Sequence, residues 1–195
     1  MDSEPTFDER LDDWCAGRDW RWRAALLALL SWQAMRPLRD DESFHLFRGI
    51  TFGAHEFGHL FFSFGGEWMT IAGGSLMQLI VPIGAAAAMI GTARDWFGAA
   101  ACGTWLSASL GDLAPYIADA RAMQMDLVSF SPDGGEHDWN YLLAHAGMLH
   151  ADLALARFVR FLSVMVLLVS VLFSISLFVR MVRNPEARGS DASRV

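Results

Sequence analysis

The chain reads as an all-α, polytopic membrane protein with about four transmembrane helices and an amino-terminal interfacial helix. Three observations predict this. Hydrophobic residues make up 53% of the 195 residues, mean hydropathy is +0.27, and the charged residues collect at the two ends and in one loop. A chain of this size forms one compact unit, too short for a separate soluble domain of any size. The net charge of −7 comes largely from the acidic amino-terminal segment, which excludes nucleic acid as an expected partner. All 15 basic residues are arginine, a compositional bias without functional weight. Cys15 and Cys102 stand in the acidic leader and in an apolar span, so no disulfide framework is expected.

Residues 1–20 carry Asp2, Glu4, Asp8, Glu9, Asp12, Asp13 and Asp19 with no apolar core. That is not the pattern of a secretory signal peptide, and it predicts a loosely ordered acidic tail. Residues 21–43 read as an interfacial segment. Its apolar part, 24–35, covers about 18 Å as a helix against the ~30 Å hydrocarbon core. It is expected to lie in the interface or to pack partly buried against the bundle, with Trp20, Arg21, Trp22 and Arg23 on one side and Arg36-Pro37 on the other at the headgroup level.

The transmembrane domain is expected over 44–180, with spans at 44–65, 68–93, 96–118 and 158–179. Gly65-Gly66-Glu67 and Arg94-Asp95 supply the first two turns. A polar loop over 121–137 leads to a helix starting near Asp138, and 181–195 reads as a disordered tail. With four spans, Arg10, Arg18, Arg21, Arg23, Arg36, Arg39, Arg94, Arg180, Arg183, Arg188 and Arg194 fall on one side. The positive-inside rule assigns that side, and both termini, to the cytoplasm, the expected location being a bacterial inner membrane.

His55-Glu56-Phe57-Gly58-His59 lies inside the first expected span. Residues four apart on a helix share a face, so two imidazoles can grip one metal while the glutamate between them reaches its water. The ion would acidify that water and polarise a scissile carbonyl. Glu56 would take the water's proton and later hand it to the leaving amine. Three ionisable groups in hydrocarbon are expensive to keep without such a role.

A catalytic zinc usually takes three protein ligands, and a carboxylate is a common third. The third span ends in the Gly/Pro-interrupted run Ser109-Leu110-Gly111-Asp112-Leu113-Ala114-Pro115, followed by Asp119. If the first and third spans start on the same surface, Asp112 comes level with His59, which favours it as the metal ligand. Asp119 lies nearer the outer surface and needs a break at Pro115 to reach the ion. The bland alternatives are a helix-break cap for Asp112 and a pair with Arg121 for Asp119. His137 or Asp138 could also fold back as a ligand, but Asp138 reads first as the N-cap of the helix that follows it. Gln78 could orient a substrate or the metal water, and reads first as a helix-to-helix hydrogen bond. His145 and His150 read as interfacial residues. Six histidines are too few for the clusters of membrane di-iron desaturases.

A metal motif on one membrane helix and an aspartate two spans later resembles the site-2 protease family of intramembrane metalloproteases. His55, Glu56, Gly58 and His59 match the family's first motif, and the resemblance covers 44–121. The family's second motif, an Asn-Pro-rich run ending in Leu-Asp-Gly, is not present, and Leu110-Gly111-Asp112 is a loose counterpart. The resemblance implies a three-helix core, one zinc ion held by two histidines and an aspartate, and cleavage of a partner's membrane helix. The expected function is therefore metal-dependent peptide hydrolysis of a membrane-embedded substrate. The alternative class is a non-catalytic, metal-binding structural subunit of a larger membrane complex.

Overall fold

A computed structural model of the protein describes residues 4–39, 45–125 and 137–184. Among the described residues every regular element is helical: α1 (Phe7–Cys15), α2 (Arg21–Arg39), α3 (Arg48–Phe61), α4 (Glu67–Ala88), α5 (Trp96–Ala118), α6 (Asp138–His145) and α7 (Asp152–Arg183). A π-turn, Met89–Ala93, extends α4, and short 3₁₀ turns, Ser63–Gly65 and Leu149–Ala151, precede α4 and α7.

The acidic leader is not a loose tail. Thr6 and Glu9 form a reciprocal capping box that starts α1, and Asp8 and Glu9 sit in its first turn, where carboxylates oppose the positive helix end. Leu11, Trp14 and Cys15, spaced along one face, are buried against Leu177 and Met181 of α7. Arg180 donates to Asp8 Oδ1 and Asp12 Oδ1, both at 2.7 Å. The charge run that suggests disorder is thus a capped helix folded against a cation. Burial pushes the Cys15 thiol up to about 11, and its S–H donates to the Leu177 carbonyl at 3.6 Å. Cys15 is therefore expected to resist maleimide at neutral pH and to react once α1 is unfolded by denaturant. Rapid labelling of the native protein at Cys15 would contradict this docking.

α2 is longer than its apolar stretch. It spans 19 residues, about 28 Å, because its flanking arginines are accommodated in the fold. Arg23 is buried with its guanidinium over the rings of Trp14 and Trp22. Leu27, Leu30 and Ala34 pack against α5 and α7, and Pro37 meets Gly111. Of the two expected placements, in the interface or partly buried against the bundle, the segment shows the packing of the second.

α5 matches its expected bounds, capped by Asp95, which accepts from the Gly98 amide at 3.0 Å. It is the central helix, with α2, α4 and α7 around it. Its interface with α7 is built from small residues. Ser107 and Ser163 donate to each other's carbonyls at 2.9 and 2.7 Å, and Gly103 leaves room for Ser170. α7 begins six residues before its expected start and runs to Arg183, so the first residues of the expected 181–195 tail are helical; 185–195 lies outside the described residues, as does 126–136 of the polar loop.

Two stretches, 67–93 and 149–183, are long and apolar enough to cross a membrane. The expected third span, α5, is not among them, and neither is α3. It has 14 residues, about 21 Å, and starts alongside the middle of α5: Thr51 accepts from Trp105 Nε1 at 3.0 Å and pairs with the Ser109 hydroxyl at 3.3 Å. α2 flanks α5 from Phe97 to Gly111, and α3 continues from Trp105 to Tyr116. Together the two short helices line one side that a single span was expected to fill. Both described chain ends meet at one end of the bundle, where the Gly17 amide donates to the Asn184 carbonyl at 3.2 Å.

Candidate metal centre

α3 and α4 run antiparallel and cross on glycines. A Cβ on Gly58 would fall on the Gly73 carbonyl, and one on Gly73 would lie 2.5 Å from the Gly58 carbonyl oxygen. This contact presses the two histidines of α3 against α4. Gly74 completes the fit, since a Cβ there would come within 2.6 Å of His59 Nε2 and 2.7 Å of His55 Nε2.

The imidazoles of His55 and His59 lie 4.7 Å apart between centroids, edge to face. Their tautomers follow from their partners. His59 Nδ1 faces the Thr70 carbonyl at 2.9 Å, which can only accept, so Nδ1 carries a hydrogen. His55 Nδ1 faces Gln78 Oε1 at 3.0 Å. The Gln78 amide is oriented by its other end, Nε2 donating to the Ser109 carbonyl at 3.2 Å, so His55 Nδ1 is a donor too. When neutral, each ring turns an Nε2 lone pair inward.

Asp138 meets those lone pairs. Its Oδ2 lies 3.0 Å from His55 Nε2 and 3.4 Å from His59 Nε2, and the three potential ligand atoms all lie within 4.8 Å of one another. Two lone pairs and a carboxylate oxygen repel unless a proton on one imidazole or a metal ion lies between them. Ligands on a tetrahedral zinc with bonds near 2.0–2.1 Å stand roughly 3.3 Å apart, and the two separations from Asp138 Oδ2 lie close to that value. His55, His59 and Asp138 could therefore hold a metal, and three protein ligands leave a position for water. Glu56, half-buried, lies on the same turn, its charge acting on His55 and on the Tyr116 hydroxyl.

α6 delivers the aspartate, and successive residues fix it. His137 Nε2 donates to Asp119 Oδ2 at 3.3 Å, and the Asp138 amide donates to the Tyr116 hydroxyl at 3.0 Å. Trp139 Nε1 donates to Ser75 Oγ at 3.1 Å and Asn140 Nδ2 to the Ala120 carbonyl at 2.7 Å. The cap of α6 is His137, whose Nδ1 accepts from the Asn140 amide at 3.2 Å. This corrects the reading of Asp138 as the cap and frees its carboxylate for the histidines.

Neither aspartate of the expected ligand pair reaches the site. Both Asp112 oxygens lie 2.9 Å from Nε2 of the fully buried His45. Asp119 accepts from the amides of Gln124 and Met125, each at 3.0 Å, and from His137; Arg121, its expected partner, pairs instead with Asp152 at 2.6 Å. Asp112 would come level with His59 only if α3 started on the same surface as α5. Because α3 starts alongside Trp105, His55 comes level with Tyr116, beyond Asp112. Sequence reasoning weighed Asp138 as a fold-back ligand but ranked it behind Asp112. It had no means of finding the Thr70 carbonyl, a main-chain acceptor.

Comparison of the chain with protein-family models, with curated proteins and with solved structures finds no match.

Proposed function

We propose that this protein is an integral membrane metallopeptidase of site-2-protease type that hydrolyses a peptide bond of a membrane-embedded substrate, with zinc as its metal. The observation that carries the reading is the convergence of His55 Nε2, His59 Nε2 and Asp138 Oδ2, with Glu56 on the same helical turn. The ion, when bound, supplies Lewis acidity toward the carbonyl and lowers the pKa of the attacking water. Glu56 then accepts the water's proton as the oxygen attacks the carbonyl carbon. It returns that proton to the amine nitrogen as the C–N bond breaks. The glycine crossing of α3 and α4 holds both histidines still through these steps.

The helix order supports four crossings, α2 with α3, then α4, α5 and α7, with both termini on the arginine-rich cytoplasmic side. Helix breaks at membrane depth are tolerated where protein surrounds them, and buried His45 beside Asp112 marks such a place. The second reading is a non-catalytic subunit. It is favoured by the ion-pair geometry of Asp138 with both histidines, which can tie α6 to α3 without any turnover.

Glu56→Gln separates the two. The zinc-loaded protein, reconstituted with membrane proteins of its host, is expected to generate new peptide amino termini detectable by mass spectrometry. Glu56→Gln should reduce their rate by roughly 10²–10⁴-fold with zinc content unchanged. Indistinguishable products from the two proteins would remove the peptidase reading and leave the structural one.

A further inference from the structure

We propose that Gln78 is a positioning residue of the metal centre: it holds His55 as the Nδ1–H tautomer and so presents the Nε2 lone pair to the ion. The inference rests on the metal-binding reading of His55, His59 and Asp138. It assigns to Gln78 a function beyond joining two helices.

Three features carry it. Gln78 is buried on α4 with its amide between His55 and α5. The amide is polarised in one direction, because reversing it would set carbonyl oxygen against the Ser109 carbonyl and NH₂ against a His55 N–H, and both bonds would be lost. The far end of the clamp is itself fixed: the Ser109 hydroxyl pairs with Thr51, which accepts from Trp105. Ser109 therefore belongs both to the amide's anchor and to the α3–α5 contact that sets the height of His55.

The two histidines differ in how they are oriented. His59 uses a main-chain carbonyl, whose place is set by the α4 helix itself. His55 depends on a side chain, which makes Gln78 the point where a single substitution can release one ligand and leave the other. Outer partners of metal-bound histidines fix the ring's tautomer and raise its basicity as a ligand. An uncharged amide on one ring and a peptide carbonyl on the other give two ligands of matched strength, neither tied to an outer carboxylate.

The test uses zinc alone, titrated against a chromophoric chelator, on detergent-purified wild type, Gln78→Leu and Gln78→Glu. Gln78→Leu is expected to weaken zinc by about 10–100-fold, and Gln78→Glu, whose buried neutral acid can donate its O–H to the Ser109 carbonyl and accept from His55, to stay within about threefold of wild type. A second measurement needs no metal. In alkaline buffer, where imidazole is neutral, ¹⁵N–¹H correlation should show His55 as the Nδ1–H tautomer in wild type and as a mixture in Gln78→Leu.

An unchanged His55 tautomer in Gln78→Leu, or a Gln78→Glu protein as weak as Gln78→Leu, would show that the residue only joins α4 to α5 and would overturn the proposal. If wild type binds no zinc yet its His55 tautomer depends on Gln78, the orienting role stands and the metal reading alone fails. Should Gln78→Leu not fold, the wild-type spectrum still decides, since an Nε2–H tautomer there is incompatible with the proposal.

Discussion

Asp138→Ala is expected to empty the metal centre, Asp119→Ala to lower its loading in part, and Asp112→Ala to leave it loaded. Asp138 supplies one of three convergent ligand atoms. Its removal should therefore cost more than the 10–100-fold typical of an outer partner. Asp112 touches His45 instead, so its loss strands a buried imidazole and lowers stability without reaching the ion. Asp119→Ala should sit between them, because it frees His137 and two amides near the start of α6 and loosens the helix that carries Asp138. Elemental analysis of the three purified variants beside wild type measures this order. An Asp112→Ala protein that arrives without metal, next to a loaded Asp138→Ala protein, would invalidate the ligand assignment.

The second large effect is expected at the α3–α4 crossing. Gly58→Ala puts a methyl group onto the Gly73 carbonyl, main chain that cannot swing aside. The helices must separate, at a cost of about 1–3 kcal/mol or more by analogy with overpacked cores, read as a fall in the thermal midpoint in detergent. Gly74→Ala sets its methyl against the two Nε2 atoms, so its effect should appear first in metal content. A stable Gly74→Ala protein with sharply reduced zinc is the expected result. Normal zinc in that variant would show that the ligands do not converge beside Gly74.

Local signals in the sequence located the ends of α5 and of α4 with its π-turn, but not those of α1, α2, α3 or α7. The Arg94-Asp95 turn was legible because a left-handed residue, Arg94 at φ 50°, is followed by an aspartate cap, and α5 then runs over its expected bounds. The histidine pair was legible because its spacing is a property of a single helix. Relations between helices were not. The height of α3 against α5 depends on contacts such as Thr51 with Trp105, and hydropathy carries no information about them. That missing register moved the expected third ligand from Asp138 to Asp112. The acidic leader was illegible for a related reason: its charges suggest disorder, the Thr6–Glu9 capping box that starts α1 is a short local signal, and the partner that makes the charges useful, Arg180, lies 168 residues away from Asp12.

His55 and Asp138 are separated by 83 residues of chain, and α4 and α5 lie between them in sequence. An ion shared by the two would act as a reversible crosslink across that loop. Closing a loop of this length costs chain entropy that grows only slowly with length, so most of what the ion contributes would be available to hold the bundle shut. Resistance to unfolding should then rise with the logarithm of free zinc once the site is saturated, by about 2.7 kcal/mol at a hundredfold excess over the dissociation constant. The availability of metal in the surrounding compartment would thereby set how long this protein persists, independently of any bond it cleaves.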